Sequence, residues 1–305
     1  MSRVTPRVAL LMSVPPLMWA GNAVVGRLLV GSVPPMALNF LRWLIAALIL
    51  LPLGWRVLRR PALIGARWPH LLALGLLGVG SYNALQYLAL ITTTPINVTL
   101  IAASSPVWVL AVGALVHGEH PRPRQLAGAV LSLSGVLLVI ARGEVSELTR
   151  IRFVPGDLYV LVAIIAWAFY SWLLARPPAS MRTPERPDWN WAEFLLAQVL
   201  FGLIGAGAAA GAEALRGAAA IHWNGWVLAA LLFVAIGPSI VAYRCWALGI
   251  AAGGPALASF FGNLTPVFAA LLSAALLGDT PRWFHALAFA LIVSGIVVSS
   301  WRQRA

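Results

Sequence analysis

Residues 95–142 of this chain are written a second time further along. Moved by 160 positions, Pro95 falls on Pro255, Pro106 on Pro266, Gly118 on Gly278 and Glu119 on Asp279. The match continues without a gap through Pro121-Arg122 on Pro281-Arg282, Ser134-Gly135 on Ser294-Gly295 and Arg142 on Arg302. Each copy holds an apolar segment with a mid-segment proline, a short turn with one acid, and a second apolar segment ending in Ser-Gly and Arg. A duplication this long with no insertion requires one architecture for both copies. The period is about half of the 305 residues, too long for a solenoid, and points to two related halves.

The medium for those halves follows from composition. Apolar residues make up 61% of the chain and charged residues 10%, with a mean hydropathy of +0.87. A water-soluble fold cannot hide that much apolar surface, so the expected fold is all-α and integral to a lipid bilayer. Ten apolar runs are long enough to span: 8–30, 36–53, 70–91, 94–116, 124–141, 156–174, 192–211, 225–249, 255–277 and 282–300. Arg3 and Arg7 ahead of the first run resemble a signal peptide, but the run is of spanning length and lacks a convincing small-residue cleavage site. Five spans per half is an odd number, so the halves are inverted relative to each other, with residues 1–150 as the first repeat and 151–305 as the second.

The net charge of +12 comes from 21 basic residues, all of them Arg, most placed in short segments between apolar runs. That distribution is an orientation signal and argues against a nucleic-acid partner. With the N-terminus inside, thirteen arginines face the cytoplasm and five the other side, which places both termini in the cytoplasm. Arg150, Arg302 and Arg304 are among those counted. Trp55, Trp68, Trp189, Trp223, Trp226 and Trp301 lie near proposed span ends, where indole rings favour the interface. Fainter echoes extend the duplication: Trp19-Ala20 matches Trp167-Ala168 at a shift of 148. An inverted repeat lets the two halves exchange conformations, opening a central site to each side in turn.

Trp19-Ala20-Gly21-Asn22, Asn39-Phe40-Leu41-Arg42-Trp43 and the twice-written Pro…Gly-Glu/Asp…Pro…Ser-Gly block resemble the EamA-type branch of the drug/metabolite transporter superfamily. The resemblance covers essentially the whole chain. It implies ten helices in two five-helix inverted repeats, with a pathway formed mainly by spans one, three, four, six, eight and nine. It also implies export of amino acids or other small metabolites, with an aromatic-amino-acid branch among its members. Arg stands in the loops in place of Lys, which leaves the topology intact and says nothing of the substrate.

By these span boundaries every acid and every histidine is peripheral. A proton-driven transporter usually keeps an ionisable group near mid-membrane, so a facilitator or exchanger is favoured over proton antiport, with Asp157, Glu193 and the histidines as the groups a coupled carrier would use. Pro106 and Pro266 sit mid-span at matching depth; each removes a backbone hydrogen bond, and they are the expected hinges. Asn22, Tyr82, Ser104, Ser239 and Asn263 are polar groups at membrane depth, expected to face the interior. Trp108 on span four, Trp167 and Tyr170 on span six, and Tyr243 with Trp246 on span eight continue polar-aromatic stripes at helical spacing. A pocket walled by Trp19, Trp108 and Trp167 accepts apolar or aromatic side chains by stacking. Arg42, six residues into span two, is expected to snorkel or to bind helix-end carbonyls, with attraction for an anionic group as the alternative. Glu119 and Asp279 are expected to cap the helices that follow them.

The single Cys245 excludes a disulfide framework. Gly205-Ala206-Gly207 through Gly211 allows close helix approach and lacks the context of a nucleotide loop. No HExxH or GxSxG motif occurs, so an enzyme is not expected, nor is a cofactor or metal. The expected function is export of amino acids by alternating access from the plasma (inner) membrane of a bacterium, by a monomer or homodimer. The alternatives are export of drugs, cationic compounds or another metabolite, or a membrane scaffold subunit.

Overall fold

The computed structural model describes residues 5–89, 91–93, 95–149, 152, 154–277 and 282–300. Gly278, Asp279 and Pro281, and with them Arg3, Arg150, Trp301, Arg302 and Arg304, lie outside the described residues. The described residues form helices joined by short turns, in the order α1 (Pro6–Leu28), α2 (Pro35–Gly54), α3 (Pro61–Gly65), α4 (Trp68–Leu74), α5 (Tyr82–Ala89), α6 (Pro95–Ala103), α7 (Ser105–His117), α8 (Pro123–Ile140), α9 (Val145–Leu148), α10 (Pro155–Ala175), α11 (Trp191–Leu215), α12 (Gly225–Val234), α13 (Ala242–Gly262), α14 (Thr265–Leu277) and α15 (Trp283–Ser300). A chain in hydrocarbon must satisfy its backbone internally, and helices do so within each segment. Proline opens α2, α3, α6, α8 and α10, where its missing N–H removes no helical bond. Asn190 and Asn224 cap α11 and α12 with their side chains. Eight helices among the described residues are long and apolar enough to cross a membrane by length and composition.

Two expected spans do not run as single helices. The segment 94–116 is interrupted at Ser104, between α6 and α7, and 255–277 is interrupted at Asn263-Leu264, between α13 and α14. Pro106 and Pro266 each stand second in the helix after the break, where proline is tolerated. The continuous stretch Gly225–Gly262 is 38 residues long and turns at Gly254, whose φ of 83° is open to glycine alone at little cost, just ahead of Pro255.

A second pair of irregularities has the same spacing. α4 passes into α5 through a π-helical segment, Gly75–Ser81, and α12 into α13 through another, Ala235–Val241. These ranges are 160 residues apart at both ends. A π-turn holds one more residue than an α-turn and misaligns carbonyls from their usual N–H partners.

Glycines set the closest crossings. A Cβ on Gly128 would meet the Gly295 carbonyl at 2.7 Å and one on Gly295 the Gly128 carbonyl at 2.6 Å, so α8 and α15 meet backbone to backbone. A Cβ on Gly202 of α11 would lie 2.4 Å from Val79 in the first π-segment. α2 packs along α11, and the Glu213 carboxylate near the end of α11 accepts the Met36 and Ala37 backbone N–H groups at 3.1 and 2.9 Å. That carboxylate caps α2 from another helix.

Glu119 does not cap α8. Its carboxylate pairs with Arg176 at the end of α10, while α8 takes Arg122 and Gln125 as its N-terminal pair, Gln125 Oε1 accepting the Arg122 N–H at 2.8 Å. The turn after α7 leaves Glu119 half exposed and within reach of a cation from the neighbouring helix, which a cap position in sequence cannot reveal. Asp157, Glu193 and His70, placed at the periphery by the span boundaries, are buried. Trp55, Trp68, Trp223 and Trp226 are exposed near helix ends.

Candidate functional site

Helical spacing turns the aromatic faces of α10 (Trp167, Tyr170) and α13 (Tyr243, Trp246) inward, where α1 and α5 add the ring faces of Trp19 and Tyr82. These faces meet at Trp167. Its ring lies 4.9 Å from Tyr170, 5.2 Å from Tyr82, 5.3 Å from Trp19 and from Trp246, and 5.4 Å from Tyr243, centroid to centroid. Trp19 also touches Trp246, and Tyr243 also touches Trp43 of α2. Tilted and edge-on geometries predominate over stacking, in keeping with quadrupoles that disfavour a face-to-face sandwich. Trp19 and Trp167, the pair matched in sequence at a shift of 148, meet edge to face at 88°.

The two π-segments are joined to this cluster through their carbonyls. Tyr243 Oη donates to the Gly78 carbonyl at 2.5 Å, and Trp19 Nε1 donates to the Pro238 carbonyl at 3.3 Å. Positions 78 and 238 are themselves 160 apart. The widened π-turns misalign carbonyls from their N–H partners, and aromatic donors supply those of Gly78 and Pro238. The missing N–H of Pro238 frees the Val234 carbonyl one turn earlier, which Ser239 Oγ takes. Gly78 also has to be glycine: an added Cβ would stand 2.6 Å from the Tyr170 ring.

Arg42 does not snorkel. It is 1% exposed and donates from Nε and Nη2 to Ser239 Oγ at 3.0 and 2.9 Å. Nη1 donates to Asn83 Oδ1 at 3.0 Å, Tyr87 Oη at 3.2 Å and Asn22 Oδ1 at 3.4 Å. Ser239 Oγ in turn donates to the Val234 carbonyl at 2.9 Å. Convergence of three other segments on Arg42 supplies enough acceptors to keep the head group inside, which is why the interface does not draw it out.

A second polar group lies at the two helix breaks. Asn263 Nδ2 donates to Ser132 Oγ at 2.9 Å and to the Ala103 carbonyl at 3.3 Å. Ala103 is the position 160 residues before Asn263, so one break hydrogen-bonds its own counterpart. Ser104 Oγ accepts from Trp108 Nε1 at 3.1 Å. Trp108 packs with the Val109 and Val160 clusters, and its ring is outside the group around Trp167. Of the residues singled out in sequence, Trp19, Tyr82, Trp167, Tyr170 and Tyr243 therefore form the ring cluster, Asn22 and Ser239 hold Arg42, and Ser104, Trp108 and Asn263 lie at the breaks with Pro106 and Pro266.

The buried acids are bound at helix starts. Asp157 accepts from Thr93 Oγ1, from Asn97 Nδ2 at 2.7 Å and from the Val154 backbone N–H at 2.8 Å. Glu193 accepts the Asn190 backbone N–H at 2.6 Å. Each is third in its helix, so both caps neutralise free N–H groups and helix-dipole charge. Among the described residues no group of three or more His, Cys, Asp or Glu is placed to hold a metal ion. Residues that sequence reasoning passed over are Asn83, Tyr87 and the π-segments. Gly75, Gly78, Gly80, Gly237 and Pro238 mark the π-segments in the sequence.

Known proteins share this chain's length and layout. A model of the EamA-like transporter family matches residues 6–141 and 154–301. An uncharacterized transporter of Archaeoglobus fulgidus is 28% identical over 96% of this chain and 97% of its own. The aromatic amino acid exporter YddG of Ancylobacter novellus is 27% identical over 90% of each chain, and the uncharacterized inner membrane transporter YedA of Escherichia coli K12 is 28% identical over 92% of this chain and 87% of its own. A crystal structure at 24% identity superposes with a TM-score of 0.76, covering 97% of this chain and 96% of that one, a likeness of fold.

Proposed function

The chain belongs to the EamA-like transporter family, and from that premise we propose that it exports amino acids, aromatic ones included, by alternating access. The observation that carries this reading is the ring cluster: aromatic side chains of four helices meet at Trp167 and hold the carbonyls of both π-segments. An aromatic amino acid side chain replaces one ring contact by another, so the cluster opens around it at little cost. Trp19, Tyr82, Trp167, Tyr170 and Tyr243 are the residues assigned to this contact. Asn22 and Ser239 border it, and Ser104, Trp108 and Asn263 line the pathway at the breaks.

Pro106 and Pro266 are the assigned hinges, each following an interruption of its span. The proposed frame is ten spans in two inverted repeats, residues 1–150 and 151–305, with both termini cytoplasmic. The recurrence of π-segments and helix breaks at the spacing of the sequence repeat supports it, as does the arginine distribution. The bilayer is that of a cell inner membrane, by analogy with YedA.

The energy source in this reading is the substrate's own gradient. Asp157 and Glu193 are the buried carboxylates among the described residues, and both are engaged as caps rather than held mid-span for proton exchange. Purified protein in liposomes tests the whole reading. Saturable uptake of labelled phenylalanine, unchanged by an imposed pH gradient, is expected. Absence of uptake for every amino acid tried overturns the substrate class, and strict dependence on the gradient overturns the facilitator.

A further inference from the structure

Arg42 carries a full positive charge about 10 Å along α2 from its start at Pro35, among partners that are all neutral: Asn22, Asn83, Tyr87 and Ser239. A buried guanidinium in a membrane protein ordinarily meets a carboxylate. None of the described residues supplies one to Arg42. The neutral acceptors satisfy its N–H groups, and the Trp43 ring 5.3 Å from Cζ adds a cation–π contact, but no negative charge among the described residues offsets the guanidinium.

A second observation lies on the same helix. Asn39, 1% exposed and one turn before Arg42, has both amide atoms hydrogen-bonded to no protein group, and the same holds for Nε1 of Trp43, which is fully buried. Residues three apart share a helix face. This part of α2 therefore offers a charged fork together with idle N–H donors at the edge of the ring cluster, since Trp43 touches Tyr243. Idle buried donors are costly unless a ligand uses them.

We propose that Arg42, with Asn39 and Trp43, is the receptor for a carboxylate on the transported molecule. The proposal rests on the transport reading above and restricts it: a substrate without an anionic group is rejected. On entry the carboxylate displaces Ser239 Oγ or Asn83 Oδ1 from the guanidinium and forms the stronger charge-assisted pair. On exit those neutral groups return to Arg42, so release never leaves its N–H donors bare. A resident acid in their place would compete with every substrate.

The test is binding to the purified full chain, read by intrinsic tryptophan fluorescence. The probes are phenylalanine, phenylpropionate (carboxylate without amine) and phenethylamine (amine without carboxylate). Expected are saturable responses to the first two, and affinity for phenethylamine at least about tenfold weaker. Arg42→Gln is expected to abolish that preference, and Arg42→Lys to restore part of it. Equal affinity for phenethylamine, or wild-type discrimination in Arg42→Gln, overturns the proposal and leaves Arg42 a structural tie. If Arg42→Gln is not monodisperse, Asn39→Leu decides. Weakened phenylpropionate binding with unchanged melting supports the receptor, and unchanged binding overturns it. Carboxylate-dependent binding without liposome uptake counts against the export reading alone.

Discussion

Trp167 is the side chain on which the ring cluster depends, because it touches rings from α1, α5, α10 and α13. Trp167→Ala is expected to cost roughly 3–5 kcal/mol of stability by leaving a cavity and to abolish phenylalanine uptake in liposomes. Trp167→Phe keeps a ring, and is expected to retain a substantial fraction of both. Equal uptake by Trp167→Ala and the native chain would remove the cluster from the transport path. Trp167 was visible in sequence because a polar-aromatic stripe runs at helical spacing along span six, Trp19 because Trp19-Ala20 recurs as Trp167-Ala168, and Tyr82 because it is a polar group at membrane depth. The neutral partners of Arg42 were not legible, although attraction for an anionic group stood among its expected roles. A lone arginine six residues into an apolar run reads as a side chain bound for the interface. Only the folded chain brings Asn22, Asn83, Tyr87 and Ser239 to it from separate segments.

Among the elements, the interruptions are the proposed hinges. Pro106 and Pro266 follow breaks at Ser104 and Asn263-Leu264, and Asn263 ties the two breaks together through the Ala103 carbonyl. The double variant Pro106→Ala, Pro266→Ala restores two backbone donors and favours continuous helices. Its expected phenotype is a melting temperature equal to or above the native one with uptake reduced about tenfold, as for other stability gains made at moving sites. Loss of stability with normal uptake would return the prolines to plain packing. α2 makes a separate test of capping between helices. Glu213→Gln keeps an acceptor for Met36 and Ala37 but loses the charge at the N-terminus of α2, and is expected to lower stability by about 1 kcal/mol, measured by thermal unfolding in detergent. Prolines made the breaks legible beforehand. The π-segments were not, because an extra residue in a turn has no composition of its own, and Gly78 in one copy faces Pro238 in the other.

Across the whole molecule, features spaced like the sequence repeat meet near the centre: Trp19 against Trp167, Asn263 on the Ala103 carbonyl, and the carbonyls of positions 78 and 238 each held by an aromatic donor. The Trp19–Trp167 contact can be traded between halves, since each ring is the counterpart of the other. Alternating access is the resulting central claim, and side-dependent labelling tests it most directly. In a Cys245→Ser background, Ala20→Cys places a thiol beside Trp19 at a position that is fully buried here. The account predicts reaction with a membrane-impermeant maleimide applied to either side of sealed vesicles, slowed by phenylalanine in both cases. Reaction from neither side, or from one side only whatever the substrate present, would contradict it.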